Sequence, residues 1–136
     1  MNELDFKRKT KRLALMVIEI VDELPNRISA RAIRHQLIRS GTSVGSNYRA
    51  ACRSRSRPDM ISKLGIVEEE ADQTLFWFEI LGESGIISAE RLCEAYGEAN
   101  EILSMTVASK KTLRSITAPN SSLQNRKSEI ENRKSK

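Results

Sequence analysis

Apolar residues recur at alternating steps of three and four along most of this 136-residue chain, which is the spacing of one face of an α-helix. The first stripe ends before Pro25 and comprises Leu13, Met16, Val17, Ile20, Val21 and Leu24. A later stripe follows a capping sequence at Ser56, Pro58 and Asp59, and comprises Met60, Leu64, Val67, Ala71, Leu75, Phe78 and Leu81. The last begins at Ser88 and comprises Leu92, Tyr96, Ala99, Leu103 and Val107. Aromatic residues make up only 4% of the chain, which disfavours a β-sandwich or β-barrel.

Residues 28–57 contain two glycines, Gly41 and Gly45, yet they keep one helical phase when they are projected at about 100° per residue. The apolar positions share one face: Ile33, Leu37, Gly41, Val44, Tyr48 and Ala51. The opposite arc holds basic residues: Arg31, Arg34, His35, Arg39, Arg49, Arg53 and Arg57. This phase predicts one long helix whose glycines let another helix approach closely, and a glycine hinge is the alternative. The four segments predict an all-α, up-down four-helix bundle.

Charge is distributed in blocks. Residues 1–57 carry 13 Lys and Arg against 5 Asp and Glu, residues 58–105 carry 2 against 11, and residues 106–136 carry 8 against 2. The arginine face of the second helix is therefore predicted to contact phosphates of RNA or DNA, because guanidinium groups bind phosphate oxygens bidentately. In this interpretation His35 is either a further phosphate contact or an inert surface residue. Alternatively, the arginines contact acidic helices of neighbouring subunits or of a partner protein.

The third helix has a second apolar face, directed away from its core stripe, which comprises Ile66, Phe76, Trp77 and Ile80. A helix in a four-helix bundle buries one stripe, so this aromatic-rich face predicts a subunit interface in a homo-oligomer. A wide core stripe is the alternative. The charge blocks favour an oligomer as well, because a basic face of helices 1 and 2 can meet an acidic face of helices 3 and 4 in the next subunit.

Catalytic and metal-binding chemistry has little support in the sequence. The single histidine, His35, lies among arginines, and Cys52 and Cys93 form no zinc-binding motif. Two groups of carboxylates are expected to be solvated or salt-bridging faces: residues 68–72, and Glu94, Glu98 and Glu101. We therefore expect no enzymatic activity, metal or cofactor. Apolar runs are far shorter than the roughly 20 residues that cross a bilayer, so we expect a cytoplasmic protein with no membrane partner.

Two stretches resemble a known family. The first is RSGTSVGSNYRAACRSRS at residues 39–56, and the second is KLGIVEEEADQTLFWFEIL at residues 63–81. Both resemble the four helix bundle protein family, which includes proteins encoded in intervening sequences of bacterial large-subunit ribosomal RNA genes. The matched positions in the second helix are Gln36, Arg39, Ser43, Val44 and Asn47. Ala50 and Ala51 stand where many members have a Glu-Gly pair, so no role of that glutamate is carried over.

The resemblance covers about residues 4–114 and implies a bundle that assembles into a barrel-like homopentamer. The chain is also similar to the accessory protein of diversity-generating retroelements, a basic pentamer that binds nucleic acid and a reverse transcriptase. Together these features predict a non-catalytic, oligomeric nucleic-acid-binding protein. The alternative is a homo-oligomeric interaction scaffold, for example a partner of a reverse transcriptase, with the arginines used in protein contacts.

The chain is expected to divide into a helical part at 1–114 and a tail at 115–136. The tail has few apolar residues, contains Pro119, and repeats Asn-Arg-Lys-Ser at 125–128 and 132–135. This composition predicts a disordered basic arm. Such an arm either adds nonspecific attraction to nucleic acid or is an extension without function.

Overall fold

The computed structural model describes residues 2–117, which form four helices: α1 (Glu3–Glu23), α2 (Ile28–Cys52), α3 (Arg57–Glu83) and α4 (Ala89–Thr117). No strand occurs in this range. Consecutive helices run antiparallel, and each packs against its two neighbours in the cyclic order α1, α2, α3, α4. The predicted all-α, four-helix fold is confirmed. None of these helices is long and apolar enough to span a membrane.

The helix starts follow from local capping. The Ser56 Oγ accepts a hydrogen bond from the Asp59 backbone N–H at 3.2 Å, and the Ser88 Oγ accepts one from the Arg91 N–H at 3.2 Å. Both satisfy amide groups that have no partner within the first turn of a helix. Gly85, with φ of 77°, occupies the turn between α3 and α4 in a conformation that side chains disfavour.

The apolar stripes of α1, α2 and α3 form the core as the spacing predicted. Phe78, Leu13 and Ile20 are among its largest fully buried side chains. The stripe predicted for α4 is largely buried: Leu92 and Ala99 belong to the core, and Tyr96 and Leu103 are partly buried against it. The stripe is wrong at Val107, and it omits three buried positions, Ala95, Ile102 and Thr106. Val107 is 44% exposed. The centre of the buried face therefore lies one residue before the predicted positions 96, 103 and 107.

The two glycines of α2 lie against α1, and the helix continues through both, so the hinge alternative is wrong. A Cβ atom on Gly41 would lie 2.6 Å from Val17 Cγ2, and one on Gly45 would lie 3.2 Å from Thr10 Oγ1. Close approach of α1 is therefore the reason that these positions lack side chains. Nearer the start of α1, the rings of Phe6 and Tyr48 stack with their centroids 4.0 Å apart.

Two predicted boundaries differ from the structure. Helix α2 ends at Cys52 instead of continuing to Arg57, because Ser56 has an extended backbone and caps a new helix that begins at Arg57. Helix α4 continues to Thr117, three residues past the boundary expected at 114. The remainder of the predicted tail, residues 118–136, lies outside the described residues.

Candidate nucleic-acid interface

The basic residues predicted to share one face of α2 fall into two groups with different surroundings. Arg34 belongs to the first group, near the start of the helix. Its guanidinium donates hydrogen bonds to the backbone carbonyls of Val21, Leu24 and Pro25 at 3.2–3.3 Å. These carbonyls lie at the end of α1 and beyond it, where helical partners are lacking. Arg34 therefore caps α1.

Two other basic residues of the first group, Arg31 and Arg39, also have partners within the chain. Arg39 forms an ion pair with Glu70 at 3.0 Å and a hydrogen bond with Gln73, and so connects α2 to α3. Arg31 donates to the Asn26 side chain at 3.1 Å. His35 is exposed. Arg34 and Arg39 thus connect α2 to other helices, whereas Arg31 makes one exposed contact with the preceding turn.

The second group lies around the connection between α2 and α3. Arg49 is on α2, Arg53 follows its last residue, and Arg57 starts α3, so the prediction that all seven basic residues lie on one helix is wrong. Arg55, which was not among the predicted site residues, lies in the same turn. These four arginines are exposed, and their guanidinium groups have no ion-pair or hydrogen-bond partner within residues 2–117. We call them the arginine cluster.

The antiparallel packing brings further cations to the end of the bundle that holds the arginine cluster. They come from the start of α1 and the end of α4: Lys7, Arg8, Lys11, Lys110, Lys111 and Arg114. This half of the bundle, the basic end, carries 13 Lys and Arg against 5 Asp and Glu, and comprises residues 2–12, 43–69 and 106–117. The opposite half, the acidic end, carries 5 against 11, and comprises residues 13–42 and 70–105.

A groove of about 210 Å³ lies between α1 and α2 at the basic end. It opens beside Gly45, and its polar lining comprises Lys7, Thr10, Lys11, Thr42, Ser46 and Arg49. Lys7 pairs with Glu3 at 3.0 Å, whereas Lys11 and Arg49 have no ionic partner within residues 2–117. Two unpaired cations beside hydroxyl groups form a suitable surface for one phosphate group. The prediction from sequence missed Lys11, although the run of cations at 7–12 was a signal for it.

The carboxylates of α4 are largely paired with α1 in the same chain. Lys9 lies 3.1 Å from Glu98 and 2.5 Å from Glu101, and Arg12 lies 2.7 Å from Glu94. Burial of Lys9 opposes its charged form, but the hydrogen bonds to Glu101 and Glu98 are together stronger, and they raise the pKa of Lys9. These contacts confirm the expectation that this group of carboxylates is a salt-bridging face. The same contacts pair cations of α1 with carboxylates of α4 inside one chain, whereas the sequence suggested that such charges meet between subunits.

The second apolar face of α3 is partly covered within the protomer. Ile66 and Phe76 are 40% and 50% exposed, whereas Trp77 and Ile80 are half-buried against the core. The rings of Phe76 and Trp77 meet edge to face, with centroids 4.9 Å apart. The exposed pair is an apolar surface on the outside of the bundle, and its role as a subunit contact stays a prediction.

The four-helix architecture and the sequence were compared with known proteins. None of the curated proteins compared with the chain matches it. A crystal structure of a protein of unknown function from the S23 ribosomal protein family of Bacteroides thetaiotaomicron is similar, with 31% identity and a TM-score of 0.73, over 78% of this chain and 98% of that chain. A family model described as 23S rRNA-intervening sequence protein matches residues 2–108. The family resemblance noted in the sequence is thereby confirmed, and the chain belongs to the family of 23S rRNA-intervening sequence proteins.

Proposed function

We propose that this protein is a non-catalytic, oligomeric nucleic-acid-binding protein that contacts RNA or DNA phosphates through its basic end. The observation that carries the proposal is the arginine cluster, whose four guanidinium groups have no partner within residues 2–117. Four positive charges held close together create a positive potential that attracts anions, and a bound anion relieves the repulsion between them. A polyanion that neutralises it releases condensed counterions, which is the main source of affinity in nonspecific nucleic-acid binding.

The basic end offers contacts to the backbone of a nucleic acid instead of its bases. Phe6 and Tyr48, the two aromatic residues of this end, are buried and stacked on each other. Proteins that bind single strands usually stack bases on exposed aromatic rings, and this surface has none among the described residues. The proposed contacts are therefore phosphate contacts with little dependence on base sequence.

Oligomer formation would multiply these contacts. The exposed Ile66 and Phe76 supply an apolar surface for association, and the family resemblance favours a homopentamer. A ring that repeats the arginine cluster binds one polyanion through several weak sites, so its overall affinity exceeds that of one protomer. Helix α4 ends at the basic end, and the sequence that follows, residues 118–136, contains five more Lys and Arg.

The proposal is tested by reversing charge at the two ends of α2. The test variant is Arg53→Glu with Arg57→Glu in the arginine cluster, and its matched control is Arg27→Glu with Arg31→Glu. Binding to short RNA and DNA duplexes of unrelated sequence is titrated at about 50 and about 200 mM salt. We expect the test variant to bind every duplex more weakly by a similar factor, with a salt slope reduced by about 0.9 for each phosphate that the variant no longer neutralises.

Light scattering on the same variants distinguishes the alternative role of the arginines. The control should keep its binding, because Arg27 and Arg31 lie at the acidic end, away from the arginine cluster. It should also stay folded and keep its mass, because Glu residues near the start of α2 suit the positive end of the helix dipole. If the test variant dissociates into smaller species, the cluster joins subunits and the scaffold function is favoured. Undiminished binding by a test variant of unchanged mass would contradict the proposed site.

A further inference from the structure

A second concave surface lies at the acidic end, between the last turns of α3 and the first turns of α4. This groove has a volume of about 350 Å³, and its walls comprise Phe78, Gly82, Ala89, Leu92, Cys93 and Tyr96. Phe78 and Leu92 are core residues, so the groove extends down to the core. It is open because Gly82 has no side chain; a Cβ atom there would lie 3.5 Å from Leu92 Cδ1.

Carboxylates border the groove on its α3 side. Glu79 accepts a hydrogen bond from the Tyr96 hydroxyl at 2.8 Å, and this bond raises the pKa of Tyr96. Glu83 is exposed and has no partner within residues 2–117. Residues 70–105 contain eight acids and one cation, Arg91, which is paired with Glu23 at 2.6 Å. Residues 70–105 therefore supply no unpaired cation for this border, and no Lys or Arg lines the groove.

We propose that the groove is a docking site for a basic amphipathic helix of another protein, whose apolar side chains enter between α3 and α4 while its Lys or Arg residues pair with Glu79 and Glu83. The volume is near the lower limit of pockets for small ligands, about 300 Å³, and is suited to a few aliphatic side chains. The carboxylates select a cationic partner and repel nucleic acid. The proposal is independent of the function assigned to the basic end.

A second copy of this chain fits the groove less well. The arginine cluster of a neighbouring molecule has the complementary charge, but residues 53–57 include no apolar side chain that would fill the groove. The groove and the arginine cluster also lie at opposite ends of the bundle, so both can be occupied in one molecule. A partner protein that is both basic and amphipathic satisfies the apolar walls and the acidic border together.

Cys93 provides a reporter, because it is exposed and forms part of the wall. The experiment uses the full chain with Cys52→Ser, which leaves one thiol. The probe is a synthetic helical peptide with leucines at every third or fourth position and lysines elsewhere. A peptide of the same composition with scrambled order is the control. We expect the helical peptide to slow alkylation of Cys93 by N-ethylmaleimide about tenfold at a concentration about ten times its Kd, and the scrambled peptide to have little effect.

Paired variants identify the groove as the binding site. Gly82→Met fills the groove and should abolish protection. Gly65→Met makes the same change at the other end of α3, where a Cβ atom would lie 3.6 Å from Lys110 Nζ, and it should preserve protection. Glu83→Lys should weaken peptide binding about tenfold, whereas Glu69→Lys makes the same charge change elsewhere on α3 and should have less than about a twofold effect. Glu83→Lys lies on the surface, so it decides the question if Gly82→Met fails to fold.

Three outcomes would overturn the proposal. The first is equal protection by the helical and scrambled peptides, which would show nonspecific attraction to an acidic surface. The second is unchanged peptide affinity in Glu83→Lys, because the acidic border would then play no part. The third is a change in the mass of the protein on Gly82→Met without any peptide, which would identify the groove as a contact between copies of this chain.

Discussion

Three arginines at the acidic end have partners within the chain, whereas the four of the arginine cluster at the basic end have none among the described residues. At the acidic end, Arg34 bonds to the carbonyls at the end of α1, Arg39 pairs with Glu70, and Arg91 pairs with Glu23. At the basic end, the guanidinium groups of the arginine cluster have no partner within the described residues. Paired charges at one end stabilise the fold. Unpaired charges at the other end contribute repulsion, which a bound polyanion would relieve.

The comparison also shows how antiparallel helices rearrange charge. Along the sequence the basic and acidic residues form consecutive blocks, which suggested basic helices facing acidic helices. In the fold the basic residues are instead in excess at one end of the bundle and the acidic residues at the other. This arrangement arises because each connection brings the end of one helix beside the start of the next. The distinction between structural and available arginines can be tested by substitutions at each end.

The largest expected effect is that of Arg34→Ala at the acidic end. This substitution removes three hydrogen bonds to carbonyls at the end of α1, from a side chain that is half-buried. We expect the free energy of unfolding, measured by urea denaturation, to fall by about 1 to 2 kcal/mol. Arg31→Ala is the control one turn earlier, and it should change stability by less than about 0.5 kcal/mol. Equal effects of the two substitutions would show that Arg34 has no special structural role.

A smaller loss of stability is expected when the ion pair between Glu23 and Arg91 is removed. The hydrogen bond from Arg91 lowers the pKa of Glu23 below its ordinary value of 4.5, so the charged form is favoured in the folded state. The resulting stabilisation is present above the ordinary pKa and is lost as the pH falls through the lowered value. Glu23→Gln should therefore destabilise the protein at neutral pH, and less so at about pH 3.

The measurement is the free energy of unfolding of both proteins as a function of pH. Glu83→Gln is a suitable control, because Glu83 has no partner within residues 2–117. A difference between Glu23→Gln and the unmodified chain that stays constant from neutral to acidic pH would rule out the ion pair as its cause.

The smallest expected effect is at the basic end. Replacing Arg53 and Arg55 together by Gln removes two unpaired charges, so we expect stability to change by less than about 0.5 kcal/mol. At low ionic strength the variant should be slightly more stable than the unmodified chain, because repulsion within the cluster is reduced. This difference in stability should disappear at high salt. A decrease of more than about 1 kcal/mol would mean that these arginines stabilise the fold.

Periodicity predicted the helices and most of the core because both depend on local spacing. The stripe through Leu37, Val44 and Ala51 is buried, and α2 is continuous across both glycines. The same method failed where two local signals overlap. Residues 53–57 continue the phase of α2, but the side chain of Ser56 caps α3, and the capping bond determines where the new helix begins.

The candidate site was only partly predictable, since partners of charged side chains are set by tertiary packing. Arg39 and Arg49 occupy the same predicted arc, yet one meets Glu70 and the other meets no acid among the described residues. Lys11 joins Arg49 only because α1 packs against α2. No spacing along a single helix contains that information.

The seam between α1 and α4 has a consequence for folding. Its ion pairs join residues that are 68 positions apart for Glu23 and Arg91 and 82 apart for Arg12 and Glu94, whereas the other helix contacts form between consecutive helices joined by short turns. Closing the ring of four helices is thus the least local step and carries the largest loop-closure entropy. Among the described residues, four ion pairs join α1 to α4, against one between α2 and α3 and one between α3 and α4. Because salt screens ionic contacts, we expect added salt to weaken this closing step more than the pairing of consecutive helices.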